Sequence, residues 1–255
     1  MCAVGREFEE HGELVVPATP EQVWDAIATG PGLDGWFMGR NEVRPGEGGS
    51  VHTDLGGYAQ DFTVTAWEPA ERLAFRTPTG EDGSFFALEW LIEGRDGAAT
   101  VVRTVAHGFI GKTDWEDEYE AMTAGGAMYT HTLVEYLTHF RGRPARLRFV
   151  RLPQPGGRAA LWATLTAELG LTGTPAPGDA LDLAGLGVPG VTAGVVDYVA
   201  HPATDPHGVA PSFLGVRTPG GLHRFYGDDV ACADHRLFGE DAAAWEGWFR
   251  RAVGG

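Results

Sequence analysis

The sequence predicts an α+β fold in which a curved antiparallel sheet closes over one long helix. A strand-like run and two short helical patterns come first, stretches of alternating hydrophobicity between glycine-rich turns follow, and a long amphipathic segment comes next. Because an aromatic-rich helix face needs an apolar surface to cover it, the preceding strands are expected to form a sheet around that helix.

The long helix is predicted from Thr113 to Arg141. Thr113 and Glu116 have the spacing of a capping box, and Gly142 and Pro144 end the pattern. The large apolar residues lie three or four positions apart, or at sums of these steps, and so share one helix face: Trp115, Tyr119, Met122, Tyr129, Leu133, Leu137 and Phe140.

Two adjacent glycines, Gly125 and Gly126, lie in the middle of this pattern. Each costs about 1 kcal/mol relative to alanine inside a helix. The sequence therefore predicts one of two arrangements. Either the helix breaks here and its main part starts near Ala127, or another group closely approaches this face.

The elements before the long helix follow from local signals. Residues 6–18 contain a first strand at Leu14–Pro17, and Thr19 with Gln22 predicts a capped helix. The run Gly30-Pro31-Gly32 is expected to break that helix, and Leu33–Phe37 predicts a second short one. Alternating patterns, with a hairpin signal at Asp96-Gly97, predict further strands at Ser50–Leu55, Asp61–Trp67, Arg72–Arg76, Ser84–Ile92 and Ala99–His107.

The composition limits the possible partners and location. The chain has 255 residues, of which 43% are hydrophobic and 21% charged, and its formal charge is −16. Such an acidic chain is not expected to bind nucleic acid or an anionic membrane. Two cysteines, no apolar run of 18 residues and no apolar stretch near the N-terminus predict a cytoplasmic protein without a membrane span.

Three segments carry a resemblance to a known family. Leu14–Ile27 followed by Leu33–Phe37 resembles the opening of the SRPBCC (START/Bet v1-like) superfamily, and its branch named for the activator of Hsp90 ATPase homologue is the most similar. Thr104–Phe109 resembles that branch's last-strand motif, and the sequence from Gly126 onward resembles its terminal helix. The resemblance covers about residues 6–141.

This resemblance implies a helix-grip fold, in which the sheet wraps a long C-terminal helix around a deep, mainly apolar cavity. Members mostly bind hydrophobic small molecules, some are polyketide cyclases, and some from actinomycete-type sources act in enediyne antibiotic self-resistance. The family has no universal catalytic residue and implies no cofactor.

The second half repeats the order of helix, strands and helix in a shorter form. Leu161–Leu165 is weakly similar to Val23–Ile27, which suggests an internal repeat. We expect domains at 6–143 and 144–255, the second a degenerate helix-grip module packed on the first. An extension packed on the first domain is the alternative. The predicted elements are a strand at Leu147–Leu152, a helix from Arg158, a loop over Thr172–Gly190, strands at Val195–Ala200, Ser212–Thr218, His223–Tyr226 and Val230–Leu237, and a helix over Asp241–Val253.

No motif indicates a catalytic or metal site. Gly-x-Ser-x-Gly, HExxH, paired CxxC and P-loop patterns do not occur. His107 is expected at the cavity wall or mouth, as a hydrogen-bonded structural residue or a general base. Arg103 points either into the cavity or to the sheet surface. His223 and His235 occur on separate strand candidates, without metal-ligand spacing.

The predicted ligand site is an aromatic-lined cavity in the first domain. Aromatic walls with few polar groups are typical of small-molecule sites. The candidate lining residues are Trp24, Trp36, Phe37, Phe62, Phe75, Phe86, Leu88, Trp90, Arg103, His107, Trp115, Tyr119, Met122, Gly126, Tyr129 and Leu133.

Three hypotheses for function follow. The first is non-enzymatic binding of a hydrophobic, polycyclic aromatic or polyketide natural product, for sequestration, transport or enediyne-type self-resistance, with no obligate protein partner. The alternative is a cyclase or aromatase in which His107 or Arg103, with Tyr129, positions a polyketide. A second alternative is a co-chaperone-like interaction module.

Overall fold

The computed structural model of this chain describes residues 5–56, 58–95, 99–112, 115–200 and 212–254. The chain forms two compact units. The N-terminal unit comprises Met1–Met122 and Thr132–Pro144, and the C-terminal unit comprises Thr123–His131 and Ala145–Gly255. The middle of one long helix thus belongs to the C-terminal unit, while both of its ends belong to the N-terminal unit.

One antiparallel sheet forms most of the N-terminal unit. Its strands are β1 (Arg6–Val16), β2 (Arg40–Arg44), β3 (Ser50–Asp54), β4 (Ala59–Glu68), β5 (Arg72–Arg76), β6 (Phe85–Arg95) and β7 (Ala99–Ile110). Their spatial order is β1-β7-β6-β5-β4-β3-β2, so β1 and β2 are the edges. The predicted α+β fold is confirmed, with one strand, β2, that the sequence pattern did not indicate. The hairpin signal at Asp96-Gly97 lies outside the described residues.

Two short helices, α1 (Pro20–Ala28) and α2 (Gly30–Asp34), connect β1 to β2. The predicted capping box is confirmed, because Gln22 and Thr19 exchange side-chain and backbone hydrogen bonds. The expected break is confirmed, because α1 ends at Ala28, but the second helix begins at Gly30 rather than at Leu33. The Thr29 hydroxyl accepts a hydrogen bond from the Gly32 amide, and a proline suits the first turn, so these residues start α2.

The apolar side chains of this sheet share one face, here called the inner face. Phe86, Leu88, Trp90 and Ile92 alternate along β6 and define it. The Trp36 ring, just after α2, lies 5.8 Å from Trp90, and its indole donates a 2.9 Å hydrogen bond to the Ala26 carbonyl. The core of the N-terminal unit therefore lies between the inner face and its helices.

The long helix α3 (Trp115–His139) runs without a break. Both arrangements predicted for Gly125 and Gly126 were wrong: neither has a positive φ, and a Cβ at either would meet no described atom within 4 Å. Packing further along the helix offsets their cost, because Leu133 and Leu137 are fully buried. The predicted cap, Thr113, lies outside the described residues.

The C-terminal unit has a second antiparallel sheet. Its strands and helices are β8 (Arg146–Pro153), α4 (Gly157–Glu168), β9 (Ala180–Asp182), β10 (Ala193–Ala200), β11 (Phe213–Thr218), β12 (Gly221–Gly227), β13 (Val230–Leu237) and α5 (Ala242–Gly254). The strand order is β8-β13-β12-β11-β10-β9. The predicted loop Thr172–Gly190 was partly wrong, because it contains β9 and a 3-10 turn at Ala184–Leu186, whose leucines enter the core.

Helices α4 and α5 cover one face of this second sheet. Leu161 and Leu165 of α4 and Trp245 of α5 are buried in a single apolar cluster with Phe225 of β12. The order of helix, strands and helix confirms the predicted second helix-grip module in degenerate form. Within the described residues, no helix combines the length and hydrophobicity that spanning a bilayer requires.

Candidate functional site

Several predicted lining residues fill the core of the N-terminal unit. Trp36, Phe62, Phe75 and Trp90 are all less than a tenth exposed. Phe62 and Phe75 meet edge to face at 5.1 Å, as Trp36 does with Trp90. Half-buried residues beside them include Trp24, which contacts Trp67 at 5.0 Å, Phe37, which contacts Trp36 at 5.3 Å, and Leu88. These aromatic residues therefore pack against one another or against Trp67.

Arg103 and His107 lie on the opposite, outer face of the sheet. They alternate with the inner-face residues of β7, and His107 is exposed with its ring 6.2 Å from Phe85. Arg103 pairs with Glu13 at 2.9 Å and with Glu93. Of the two positions open for Arg103, the structure therefore shows the surface one. The placement of His107 differs from the prediction, because strand alternation turns it away from the helix.

The predicted residues in the middle of α3 have different surroundings. Gly126 is exposed, Met122 half-buried and Leu133 fully buried. Tyr129 belongs to the C-terminal unit, where its hydroxyl lies 3.5 Å from an Asp234 carboxylate oxygen. Burial raises the pKa of Tyr129. Helical periodicity predicts which residues share a helix face, but it does not predict which of the two sheets covers that face.

A cavity of about 440 Å³ lies at one corner of the N-terminal unit, between the start of β1 and the first turns of α3. We call it the β1–α3 pocket. From the predicted set it includes Trp115 and Tyr119. The complete lining is Arg6, Glu7, Phe8, Glu9, Ile110, Trp115, Glu116, Tyr119 and Glu120.

Strand register builds the floor of this pocket around a glycine. Phe8 of β1 and Phe86 of β6 both lie opposite Gly108 of β7. Their rings stack across it at 6.4 Å, and a Cβ at Gly108 would come within 2.9 Å of the Phe8 ring. Gly108 therefore gives Phe8 the space to lie flat on the sheet.

The strand wall and the helix wall of the pocket have nearly the same distance between successive side chains. Two residues along a strand advance about 6.7 Å, and four residues along a helix advance about 6 Å. Arg6 therefore lies against Trp115, and Phe8 lies against Tyr119. The Arg6 guanidinium lies 4.7 Å from the Trp115 ring centre, and the Phe8 and Tyr119 rings are 5.8 Å apart. The Tyr119 hydroxyl donates a hydrogen bond to Glu10.

The sequence pattern did not indicate the β1 half of this pocket. Residues 6–10 read Arg-Glu-Phe-Glu-Glu, in which Phe8 is the only large apolar residue. Hydrophobic alternation is therefore absent, and the strand prediction began only at Leu14. The pairing of β1 with β7 extends this strand to Arg6, because backbone hydrogen bonds do not depend on side-chain polarity.

The C-terminal unit contains a second group of polar residues, under α5. His223 and His235 face each other across the β12–β13 hairpin, both fully buried, with their Nδ1 atoms 2.9 Å apart. Trp245 lies 3.9 Å from the His223 ring and donates a 2.7 Å hydrogen bond to Glu240. The symmetric spacing of the two histidines about a hairpin turn is a signal that could have paired them.

The hydrogen bonds of this cluster limit the protonation of its two histidines. Two Nδ1 atoms in contact share one hydrogen, so at least one ring is neutral. Burial lowers the pKa of both His223 and His235. Burial acts to raise the pKa of Glu240, but hydrogen bonds that include those from His223 and Thr218 outweigh it and leave this pKa lowered.

The chain is similar to known proteins in sequence and in fold. The family model described as activator of Hsp90 ATPase homolog 1-like protein matches residues 17–138. A search of curated proteins gives no match.

Solved structures with a similar fold include DynU16, a protein in the dynemicin biosynthetic locus, at 19% identity over 96% of this chain and 98% of that one, with a TM-score of 0.44. Protein MLL2253 from Mesorhizobium loti is 19% identical over 52% of this chain and 98% of its own, with a TM-score of 0.45. The Aha1 dimer from Colwellia psychrerythraea is 20% identical over 51% and 96%, with a TM-score of 0.42.

The matched segment contains most of the opening motif, the last-strand motif and most of the terminal helix from which the sequence resemblance was drawn. It also contains the α3 wall of the β1–α3 pocket, whereas the β1 wall precedes it. Residues 17–138 thus match the activator of Hsp90 ATPase homolog 1-like family, which is the branch that the sequence resemblance indicated.

Proposed function

We propose that this protein binds a hydrophobic small molecule in the β1–α3 pocket without transforming it. The observation that carries the proposal is a cavity of about 440 Å³ with three aromatic walls, Phe8, Trp115 and Tyr119. Ligand pockets typically enclose roughly 300–1,000 Å³, and flat aromatic side chains suit a flat ligand. The similarity of residues 17–138 to a family whose members mostly bind hydrophobic molecules supports the same conclusion.

The ligand class that we propose is a polycyclic aromatic or polyketide natural product, held for sequestration, transport or enediyne-type self-resistance. The support is the resemblance of the sequence to a branch with such members. We take the protein to act in the cytoplasm, where a chain with two cysteines needs no disulfide, and to need no protein partner.

A binding role is preferred to the cyclase alternative because of where two residues lie. A polyketide cyclase needs an acid, base or hydrogen-bond donor within about 3 Å of the substrate. Arg103 and His107 were the candidates, and both lie on the outer face of the sheet, with Arg103 held by two glutamates. A ligand on the inner face is out of their reach.

Tryptophan fluorescence tests the proposal, because Trp115 lines the pocket and Trp24 does not. Titration with a panel of polycyclic aromatic polyketides should quench emission saturably in the wild type and in Trp24→Phe. In Trp115→Phe the quenching should largely disappear, while calorimetry still detects binding because a flat ring remains.

Two results would contradict the proposal. One is the absence of both quenching and heat across the panel. The other is a quenching curve that is unchanged in Trp115→Phe, which would place any bound ligand elsewhere in the protein.

A further inference from the structure

The chain is strongly acidic, but one long stretch of it carries no negatively charged side chain. Acidic residues outnumber lysine and arginine 35 to 19 over the whole sequence. Residues 136–167 nevertheless contain six arginines and no aspartate or glutamate. Strand β8 lies in this stretch, so its local charge is opposite to that of the chain as a whole.

Strand β8 forms an edge of the C-terminal sheet. Among the described strands it pairs only with β13, in a register without a bulge from Arg146 to Pro153. Successive residues of such a strand point their N–H and C=O groups to opposite sides, so about half of these groups point away from the sheet. Arg146, Arg148 and Arg151 are exposed along this edge, and Phe149 is 38% exposed beside them.

The arginines of β8 are accessible to a partner. In the part of the chain that the structure describes, Arg146 and Arg151 form no ion pair, and Arg148 pairs with Glu246 of α5 while its side chain stays 47% exposed. An arginine presents five N–H donors in a plane, a geometry that suits a carboxylate. The edge therefore offers both backbone and side-chain hydrogen bonds to an extended acidic segment.

The N-terminal sheet ends in a strand of the opposite charge. Strand β1 is also an edge, and it pairs with β7 without a bulge along its whole length. Glu7, Glu9, Glu10 and Glu13 are exposed on it. A partner within the chain does not cover such a side chain, since Glu13 is 53% exposed in its pair with Arg103.

Strands β1 and β8 hold equivalent places in their two units. Each is the first strand of its unit, and each pairs at the sheet edge with the last strand, β7 or β13. The other two edges differ, because β2 has Glu42 between two arginines and β9 has only three residues. Like charges on facing strands keep β1 from pairing with a second β1, and β8 with a second β8. Opposite charges stabilise facing strands, so nothing of this kind keeps β1 from β8.

We infer that strand β8 of one copy of this protein pairs with strand β1 of a second copy. The pairing joins the C-terminal sheet of the first copy to the N-terminal sheet of the second, and the glutamates of β1 lie among the arginines of β8. A strand pair of this length buries a small area, so the association is weak and transient. Each copy uses a different edge, so the complex keeps one free β1 and one free β8 and can add further copies.

Sedimentation velocity of the full chain tests this inference. At about 0.15 M salt, repulsion between the acidic copies is screened beyond roughly 8 Å, so the facing strands decide the outcome. We expect the average mass to rise between about 10 μM and about 1 mM protein, as a weak interface requires. Arg146→Glu with Arg151→Glu should abolish this rise, and so should Glu7→Lys with Glu9→Lys.

A control and a mixture locate the contact. Glu71→Lys with Glu81→Lys changes the net charge as much as the β1 variant does, at two exposed turn positions, and should associate at least as strongly as the wild type. Each of the two edge variants still presents the strand that the other has lost. An equimolar mixture of them should therefore associate although neither does so alone, which also shows that both are folded.

Several results would overturn the inference. They are a mass that stays that of a single chain at every concentration, edge variants that associate like the wild type, and a mixture of the two that does not associate. Binding of a synthetic acidic peptide to β8 without association of copies would also overturn it, because the partner would then be another protein. None of these measurements involves a small-molecule ligand, so the proposed function holds or fails independently.

Discussion

At the scale of single residues, glycine has opposite meanings at two positions of this chain. At Gly108 a Cβ would meet the Phe85 carbonyl oxygen at 2.2 Å and the Phe8 ring at 2.9 Å, so the strand tolerates no side chain there. At Gly126 the same atom would meet nothing described within 4 Å. The first glycine shapes the pocket, whereas the second only weakens a helix.

Replacing Gly108 with alanine should therefore destabilise the N-terminal unit and weaken ligand binding together. Because the clash includes a backbone oxygen, the strands must shift, and overpacking of this kind costs about 1–3 kcal/mol of unfolding free energy. Urea unfolding followed by tryptophan emission measures the stability, and the fluorescence titration with polycyclic aromatic polyketides measures the affinity. A Gly108→Ala protein with wild-type stability and wild-type affinity would contradict this account of the pocket floor.

Gly126→Ala is the matched comparison on the helix. The backbone there is helical and the space is open, so alanine should raise the unfolding free energy by about 0.5–1 kcal/mol, partly by restricting the unfolded chain. The affinity for polycyclic aromatic polyketides should not change. A loss of stability would mean that some group does approach Gly126.

At the scale of elements, sequence periodicity predicted which helices and strands exist better than it predicted what each of them packs against. The period of α3 and the alternation of β6 were read correctly, since burial on one face leaves a repeat of apolar residues. β2 and β9 were not predicted, because β2 reads Arg-Asn-Glu-Val-Arg, with a single apolar residue, and β9 has only three residues. Tyr129 and Leu133 share a helix face by spacing, yet they belong to different compact units. Contacts with residues far away in sequence decide to which unit each residue belongs, and the spacing of residues along the helix does not predict those contacts.

The β12–β13 hairpin should make stability depend on pH. Burial holds the pKa of His223 and His235 below the ordinary value of 6.5, so in the folded protein they stay neutral while in the unfolded chain they take up protons. The unfolded state then binds more protons as the pH falls below about 6.5, and stability falls with it. Above that pH neither state is charged, and this contribution is constant.

Urea unfolding between about pH 5 and pH 8 measures this effect, with an expected slope of up to about 1.4 kcal/mol per pH unit for each histidine. His235→Phe, which keeps a ring against Trp245, should make the slope smaller. A flat wild-type profile below pH 6.5, or an identical slope in the variant, would contradict the assignment. Glu240 adds a separate loss below about pH 4.5, because its lowered pKa favours the folded state only while it is ionised.

At the scale of the whole molecule, one helix contributes to both compact units. The ends of α3 belong with the first sheet, and Thr123–His131 belongs with the second. In the C-terminal unit Tyr129 lies near Asp234, and the Arg236 guanidinium lies 5.6 Å from its ring centre. The expected domain boundary at 143/144 falls close to the end of the first unit, but the residues between 123 and 131 do not follow it.

A truncated chain that ends at Pro144 should therefore be less stable than the full chain. It keeps all strands of the first sheet but leaves Tyr129 without Asp234 and Arg236. We expect a lower melting temperature than the full chain, and lower helix content than α1 to α3 would give, both measured by circular dichroism. In the full chain, Tyr129→Phe should have a much smaller effect. Equal melting temperatures for the truncated and full chains would contradict this prediction.

The shared helix also sets an order of events during synthesis. The sequence of the N-terminal unit is complete at Pro144, but β13, which carries Asp234 and Arg236, ends only at Leu237. At roughly 5–20 residues per second, the ribosome needs roughly 5–20 s to make the chain between these points. Throughout that interval the central turns of α3 in the nascent chain have no second sheet to pack on, and their apolar residues stay in contact with water.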